Sequence, residues 1–316
     1  MMCLHPFIKY DKDKATRFQM LPCGKCIPCK INRTMEWCIR LEYEMLENKH
    51  SCFLTLTYDD EHLPKDNNLH KKDLQNFIKR FRESIPNYVK YYAVGEYGEE
   101  QKIYYSKSPK GEQTGILPHG RPHYHLIVFG VDENNCEELR EILADCWKNC
   151  ARDMFIEEKY KCVGTVTPDS IKYVTDYCQK KGTEPHEEIL FGEHYETPFS
   201  LQSQGLGLSG FLKENPEVYQ DGTIFYNGRK YPIPRYFRKK LDLPPTFKEL
   251  ENDPYKEFAL KNGLVKYEDV EQFEKMPPGH KYNPYYELIR DKYPEHLEEV
   301  EKMLRARNNL RGDKKI

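Results

Sequence analysis

The pattern of apolar and polar positions predicts alternating helices and strands in the first part of the chain. Apolar residues recur at helical spacing from Lys30 to about Asn48. The run Cys52–Tyr58 is rich in β-branched and aromatic residues, which predicts a central strand. Residues 70–85 combine a narrow apolar stripe with a basic remainder, typical of an amphipathic helix. A second strand is predicted over Tyr88–Tyr97, followed by a polar loop over residues 98–119.

Residues 121–130 join a polar lead-in to an apolar, β-branched run that Gly130 closes, which predicts a buried strand. Strand side chains alternate between faces, so His123 and His125 point the same way. Two imidazoles at the solvent end of a strand can hold one divalent cation. A hydrogen-bonded histidine pair in a core is the alternative, and His-x-His alone would favour that alternative.

A carboxylate near the end of the preceding strand supplies a candidate third ligand. If the strand that carries Glu96 pairs antiparallel with residues 123–129, Glu96 lies close to both histidines. The polar residues 59–62, which follow the first strand, are competing ligands. Two imidazoles, one carboxylate and open coordination positions suit catalytic Mg²⁺ or Mn²⁺.

A later helix carries the second candidate group. Pro168 and Asp169 are typical of a helix start, and the pattern continues to about Lys181. At about 100° per residue, Tyr173, Tyr177 and Lys180 cluster on one face of this helix. Ordinary packing is the alternative interpretation of the two tyrosines.

The remaining pattern predicts a helix over residues 136–149 and a short strand over Val163–Thr167. Farther along, turn signals predict a hairpin over residues 224–231. The basic and aromatic segment Pro232–Lys240 is either a nucleic-acid contact or a solvated linker. Two more helices are predicted, at about residues 246–262 and 284–308.

The N-terminal cysteines predict a metal site. Cys23, Cys26 and Cys29 have Cys-x-x-Cys-x-x-Cys spacing, with Cys3 as the candidate fourth ligand and Cys38 as its competitor. Such turns aim thiolates at one tetrahedral centre, so structural Zn²⁺ is favoured. An iron–sulfur cluster and free thiols are the alternatives.

Composition narrows the class of protein. The 316 residues suffice for one large domain or two smaller ones, and we expect segments 1–50, 51–182 and 183–316. Hydrophobic residues make up 38% and charged residues 32%, with a net charge of -2, so nucleic-acid binding must rest on local basic patches. Without a bilayer-length apolar run or a signal sequence, we expect no membrane association and a location in the cytoplasm.

The histidine and tyrosine groups together fit phosphodiester chemistry. A cation can polarise the phosphate for attack by a nucleophile held in line. Tyrosine ionises near pH 10 in water, so a metal-bound phosphate and Lys180 would stabilise its phenolate. Attack leaves a 5′-phosphotyrosine bond and a 3′-hydroxyl. This bond conserves energy for rejoining, and two tyrosines permit two successive cleavages.

These motifs, in this order, resemble those of rolling-circle replication initiators of the HUH endonuclease superfamily. The motifs are the strand Phe53–Tyr58, Gly95-Glu96-Tyr97-Gly98, His123-Tyr124-His125 and Tyr173-x-x-x-Tyr177-x-x-Lys180. More narrowly, Cys3 with Pro22–Cys29, and Arg121–His125, resemble the initiators of small single-stranded DNA microviruses, the gokushovirus-like group. The resemblance covers residues 1 to about 182, and it extends weakly through 200–210 and 234–240.

The resemblance implies an α+β fold of ferredoxin-like type: an antiparallel sheet with helices on one face, an N-terminal cysteine knuckle and a C-terminal helical extension. His123 and His125 match the metal ligands, while Tyr177, ranked first, and Tyr173 match the nucleophiles. Tyr124 stands where the superfamily usually has an aliphatic residue, but its side chain points to the opposite face. Single-stranded and origin DNA, host helicase and polymerase are the implied partners, in the host bacterial cytoplasm.

Other functions compete with this one. A plasmid relaxase or an HUH transposase would use the same chemistry on other DNA. A metal-dependent oxygenase or cupin also binds iron through His-x-His and Glu, but its carboxylate typically follows the histidines within a few residues. A non-catalytic zinc-knuckle protein would bind DNA through Cys23, Cys26 and Cys29 and would cleave no strand.

Overall fold

The computed structural model describes residues 3–10, 18–85, 89–98, 103–108, 111–116, 120–132, 136–150, 152–157, 162–177, 196–215, 222–243, 254–270 and 284–312. Contacts group the chain into two compact units. The sheet unit comprises residues 36–216, and the terminal unit comprises residues 1–35 and 217–316. The units therefore divide the chain at other positions than the segments expected from the sequence. Of the helices described, none is long and apolar enough to cross a membrane.

The strands are β1 (Phe7–Tyr10), β2 (Phe18–Leu21), β3 (Ser51–Thr57), β4 (Lys90–Tyr97), β5 (Ile103–Ser108), β6 (Gly111–Ile116), β7 (Pro122–Phe129), β8 (Val163–Thr165), β9 (Phe199–Gln202), β10 (Thr223–Tyr226) and β11 (Arg229–Pro232). The helices are α1 (Ile27–Glu47), α2 (Lys71–Ser84), α3 (Cys136–Cys146), α4 (Asp153–Ile156), α5 (Pro168–Tyr177), α6 (Leu208–Glu214), α7 (Arg235–Lys240), α8 (Pro254–Lys261), α9 (Pro284–Lys292) and α10 (Pro294–Gly312). A short 3₁₀ helix covers Tyr267–Asp269.

The sheet unit is built on a five-stranded antiparallel sheet in the order β8-β3-β7-β4-β9. The strand with the two histidines, β7, is central, as the resemblance implied. Its neighbours place Thr57 and Glu96 opposite His123. Directly opposed residues of antiparallel strands project from the same face, so this register determines which side chains meet.

Helices cover both faces of this sheet, so the implied arrangement with helices on one face is wrong. Leu126 and Val128 belong to a buried cluster with apolar residues of α2 and α3. Ile127 and Phe129 belong to a second cluster with residues of α1 and α5. The cause lies in β7 itself, which is buried on both faces and therefore needs two apolar coverings.

Helices α1 and α5 lie on the face of the sheet that carries the histidines. The Cys38 Sγ and Thr175 Oγ1 atoms are 3.4 Å apart, which joins the two helices directly. Gly207 approaches α1 closely, because a Cβ atom there would lie 2.1 Å from the Arg40 carbonyl oxygen. Its φ of 75° also favours glycine. The carboxylate of Glu44, itself buried, accepts the Gly207 N–H at 2.7 Å.

The terminal unit combines the two ends of the chain. It contains the antiparallel hairpins β1–β2 and β10–β11, the second of which confirms the hairpin predicted near residue 224. Cys3, Leu4, Cys26 and Cys29 share one buried cluster with Tyr255, Ala259, Val265, Tyr285, Tyr286, Ile289 and Leu297. The predicted C-terminal helices are present as α8, α9 and α10, with a break at Tyr293 before Pro294. Proline disfavours helical backbone in the residue before it, which accounts for this break.

The predicted loop after β4 is wrong in part, because it contains the hairpin β5–β6. The sequence of β6, Gly111–Ile116, lacks the apolar alternation from which a strand is predicted. Strand β9 was also missed, since it is only four residues long. The helix predicted to reach about Lys181 is described only as far as Tyr177.

Candidate active site

Three side chains converge on the β4–β7 strand pair. The Oε1 atom of Glu96 lies 2.8 Å from His123 Nε2 and 3.0 Å from His125 Nε2. Glu96 is 3% exposed, and His125 is also buried. The predicted proximity of Glu96 to both histidines is therefore confirmed. It follows from the antiparallel register that pairs Glu96 with His123 and Val94 with His125.

Two further groups orient the imidazole rings. The Nδ1 atom of His123 lies 3.1 Å from the Arg121 carbonyl oxygen, so this nitrogen carries the proton and donates it. The Nδ1 atom of His125 lies 3.1 Å from Thr55 Oγ1. With both Nδ1 atoms engaged, the two Nε2 atoms point at Glu96. Such contacts at the second nitrogen are typical of metal-ligating histidines.

Burial and mutual contact shift the acidities of these groups in different directions. Burial alone would raise the pKa of Glu96, but the hydrogen bonds from His123 and His125 outweigh burial and lower it. Burial opposes the charged form of His123, yet its hydrogen bond to Glu96 raises the pKa. Burial and the charge of His123 together lower the pKa of His125 despite its contact with Glu96. A carboxylate and a neutral His125 are thus favoured, and these are ligand forms.

The cluster fits a divalent cation. One ligand atom from each of Glu96, His123 and His125 can be chosen so that all lie within 4.8 Å of one another. The Oε2 atom of Glu96 is buried and has no hydrogen-bond partner among the described residues. A buried, unpaired carboxylate oxygen is costly, and a cation would offset that cost. Two imidazoles and one carboxylate leave coordination positions for a substrate oxygen.

The competing ligands after β3 make other contacts. The carboxylate of Asp59 accepts the backbone N–H of His62 at 2.7 Å and lies 2.6 Å from His62 Nδ1. Asp60 forms an ion pair with Arg121. Among the described residues, only Glu96 joins the two histidines in a metal-sized group, so it is the favoured third ligand.

One of the two predicted nucleophiles lies beside this cluster. The rings of Tyr173 and His125 are 5.5 Å apart and nearly perpendicular. Tyr177 ends α5, one turn beyond Tyr173, so α5 carries both tyrosines. Lys180, predicted to stabilise the phenolate, lies outside the described residues. The structure thus brings Tyr173 to the histidines and leaves the ranking of Tyr177 a prediction.

The unusual tyrosine between the histidines has a structural explanation. Tyr124 projects to the opposite face, where its hydroxyl donates to the His70 carbonyl oxygen at 3.1 Å and accepts the His70 N–H at 2.9 Å. The Tyr58 hydroxyl is 2.9 Å from that of Tyr124 and donates to Asp73 at 2.9 Å. Burial raises the pKa of Tyr124 to about 12, so it remains a donor. The network fixes the start of α2 against the sheet.

Sequence reasoning missed the two groups that orient the histidines. Thr55 pairs directly with His125 across β3 and β7, and the strand period alone could have placed it on the histidine face. The carbonyl of Arg121 carries no signal in the sequence. The basic side of α2 has partly structural roles: Arg80 donates to the Cys146 carbonyl oxygen and Arg82 to that of Val89.

The predicted cysteine site is assembled in the terminal unit. Cys3, Cys23, Cys26 and Cys29 have their sulfur atoms within 4.8 Å of one another. Cys3 is therefore the fourth member of the group, while Cys38 instead contacts Thr175 in the sheet unit.

Comparison with known proteins agrees with the motifs. A family model for replication-associated proteins of the ORF2 type matches residues 51–105, which include β3, α2 and β4. The chain is 25% identical over 262 residues to the replication-associated protein ORF2 of Spiroplasma virus 4, covering 75% of each chain.

Two further relatives come from other phages. The chain is 29% identical over 231 residues to the replication-associated protein VP4 of Bdellovibrio phage phiMH2K, covering 69% of this chain and 66% of that protein. It is also 29% identical over 231 residues to the replication-associated protein ORF4 of Chlamydia phage 1, covering 70% of this chain and 53% of that protein. No solved structure gives a significant match.

The class that these matches support is the phage replication-associated protein. Within that class, the resemblance to the replication initiators of small microviruses is confirmed.

Proposed function

We propose that this chain initiates rolling-circle replication by nicking and rejoining one strand of origin DNA, with a divalent cation and a tyrosine nucleophile. The observation that carries the proposal is the group Glu96, His123 and His125, with a tyrosine ring against His125. The names of the relatives place those proteins in phage replication. They favour a replication initiator over a plasmid relaxase or a transposase.

The reaction is a transesterification. A tyrosine oxygen attacks the phosphorus of the scissile phosphodiester and forms a new P–O bond as the bond to the 3′-oxygen breaks. The phenol proton is lost, and the departing 3′-oxygen gains a proton to become a hydroxyl. The products are a 5′-phosphotyrosine and a free 3′-hydroxyl. In the reverse reaction a 3′-hydroxyl attacks the phosphotyrosine, which rejoins DNA without a nucleotide cofactor.

The residues of the sheet face would hold the cation and orient the phosphate. Glu96 and the Nε2 atoms of His123 and His125 supply the ligands, while Thr55 and the Arg121 carbonyl keep the rings in place. Bound Mg²⁺ or Mn²⁺ would polarise the phosphate and neutralise the charge that develops on its oxygens. Burial under α1 and α5 strengthens these electrostatic interactions.

Tyr173 and Tyr177 share the role of nucleophile in this proposal. Tyr173 is supported by its ring contact with His125. Tyr177 is supported by its match to the first-ranked tyrosine of the Tyr-x-x-x-Tyr-x-x-Lys motif. Residues one turn apart on a helix can take alternate turns at one phosphate position, which suits two cleavages per replication cycle. Lys180 would stabilise the phenolate.

The proposed partners follow from replication. Single-stranded and origin-containing DNA is the substrate, and the host helicase and polymerase would extend the 3′-hydroxyl. The site of action is then the cytoplasm of the bacterial host. The exposed lysines Lys72 and Lys79 on α2 are available for phosphate contacts.

The experiment incubates purified chain with labelled single-stranded oligonucleotides that tile its own genome, in the presence of Mn²⁺, followed by denaturing electrophoresis. We expect label to migrate with the protein, and the adduct to disappear with chelator or in the double variant Tyr173→Phe, Tyr177→Phe. Tyr267→Phe is the matched control, because Tyr267 is 81% exposed and lies in the terminal unit.

Adduct in the double variant would exclude these nucleophiles. A folded, metal-loaded protein that binds DNA but forms no adduct on any oligonucleotide would contradict the enzyme and favour the non-catalytic zinc-knuckle interpretation.

A further inference from the structure

The four-cysteine group has the dimensions of a closed tetrahedral site. The Sγ atoms of Cys3 and Cys26 are 3.8 Å apart, and those of Cys23 and Cys29 are 3.9 Å apart. A tetrahedron with Zn–S bonds of about 2.3 Å has sulfur atoms about 3.8 Å apart. These sulfur atoms therefore lie where one zinc ion would hold them, and they are too far apart for disulfide bonds.

The surrounding backbone favours thiolates. The N–H of Cys23 points at Cys3 Sγ at 3.2 Å, and the N–H groups of Lys25 and Cys26 point at Cys23 Sγ at 3.4 and 3.3 Å. Gly24 makes this turn with a φ of 74°, a conformation that glycine adopts without strain. Donors aimed at sulfur orient the ligands and stabilise their charge.

The thiols also bias one another toward ionisation. Hydrogen bonds from Cys29 and Cys3 lower the pKa of Cys26, while the same contact with Cys26 raises the pKa of Cys29 to about 11. Cys26 also immediately precedes α1, whose N-terminus favours negative charge. A buried cluster of this kind holds negative charge that a divalent cation would balance.

The cluster joins the two ends of the chain. Cys3 lies beside the apolar residues of α8 and α9, and its carbonyl oxygen accepts the Tyr255 hydroxyl at 2.8 Å. The rings of Tyr255 and Tyr286 are 5.2 Å apart in a perpendicular contact, which connects α8 to α9. The N-terminal cysteines thus form one wall of the core that α8 and α9 complete.

We propose that Cys3, Cys23, Cys26 and Cys29 bind one structural Zn²⁺, and that this ion holds the C-terminal helices α8 and α9 to the N-terminal knuckle. All four coordination positions are filled by protein, so the ion is structural and takes no part in strand cleavage. This assigns a role to a C-terminal segment whose sequence carries no recognisable motif. The proposal is independent of the nicking reaction.

The first test measures zinc by elemental mass spectrometry. Two imidazoles and a carboxylate also bind zinc, so the full chain carries His123→Ala and His125→Ala as background. We expect one zinc per chain in this background and none after Cys3→Ser or Cys26→Ser. Cys150→Ser is the matched control, because Cys150 and Cys3 are both 8% exposed, and it should retain one zinc.

A folded background protein without zinc, or zinc that persists in both cysteine variants, would overturn the zinc assignment. If the serine variants do not fold, the background protein refolded with Co²⁺ provides the alternative measurement. The intense visible bands of a tetrahedral cobalt thiolate are expected. Their absence from folded protein would also overturn the assignment, and one iron per chain would replace zinc by iron.

The second test is hydrogen exchange on the full chain before and after zinc removal. Amide protection should fall in residues 254–261 and 284–292, because the wall of their core is lost. Protection in β7 should stay unchanged, since β7 belongs to the cores of the sheet unit. Unchanged protection in both C-terminal segments would overturn the structural role.

Discussion

The histidine group of the sheet unit and the cysteine group of the terminal unit are both candidate metal sites, yet their donors differ in kind and number. The first has three ligands and a buried oxygen of Glu96 without a hydrogen-bond partner among the described residues. The second has four thiols at tetrahedral spacing. An incomplete set of hard and borderline donors leaves room for a substrate, whereas a closed thiolate set does not. The number of donors thus separates chemistry from structure within one chain.

Metal removal should separate the two sites most strongly. Zinc loss should unfold the terminal unit, because structural zinc contributes roughly 10 kcal/mol or more in zinc fingers. Manganese loss should leave the sheet unit folded, since Glu96 and the histidines already hydrogen bond one another at 2.8 and 3.0 Å. Thermal unfolding followed by circular dichroism, with stepwise chelation, measures both effects. A sheet unit that melts on manganese removal would reverse the comparison.

The substitution Glu96→Gln should reduce nicking by more than about 100-fold, since loss of even an outer-shell partner of a metal ligand costs 10–100-fold. The glutamine has the same shape but loses the charge that balances the cation. Initial rates of adduct formation over a Mn²⁺ titration provide the measurement. Zinc content should be unaffected.

Glu61→Gln is the control for that substitution, because Glu61 is an exposed residue of the loop after β3, which offered the competing ligands. Equal losses of activity in Glu96→Gln and Glu61→Gln would exclude Glu96 as the specific ligand.

Tyr124→Phe should lower stability by about 1–3 kcal/mol, since the His70 N–H and the Tyr58 hydroxyl lose a buried partner. Manganese affinity should change little, because Tyr124 projects away from the histidine face. Urea unfolding and Mn²⁺ titration of the same variant report the two quantities. A large loss of affinity at unchanged stability would contradict this division between the faces of β7.

Thr55→Val should weaken Mn²⁺ binding about tenfold, because His125 Nδ1 loses the partner that orients its ring. Valine preserves the shape and the β propensity of threonine, so β3 should remain intact. Higher Mn²⁺ concentrations should restore the nicking rate. The control is Thr57→Val, on the same face of β3 and opposite His123. Equal affinities in the two variants would exclude an orienting role for Thr55.

Much of the histidine group was predictable because it depends on local periodicity and one pairing. The strand period places His123 and His125 on one face, and antiparallel pairing across a connection brings in Glu96. The ring contact of Tyr173 with His125 depends on how α5 crosses the sheet. That arrangement entered through the family resemblance, since periodicity does not specify packing between elements.

The terminal unit was harder to predict, because its contacts join residues more than 200 positions apart. The spacing of Cys23, Cys26 and Cys29 indicates a metal site, but no local pattern connects Cys3 with Tyr255. Helices on both faces of the sheet likewise depend on long-range packing. The hairpin β5–β6 was missed because its sequence carries little apolar alternation.

The central claim is a covalent bond between DNA and a tyrosine of α5. Its most direct measurement is tandem mass spectrometry of the digested protein–DNA adduct, which locates the phosphonucleotide on the peptide. We predict modification of Tyr173 or Tyr177, with none in protein treated with chelator. A nucleotide attached to any other residue, or an adduct that forms without divalent metal, would contradict the account.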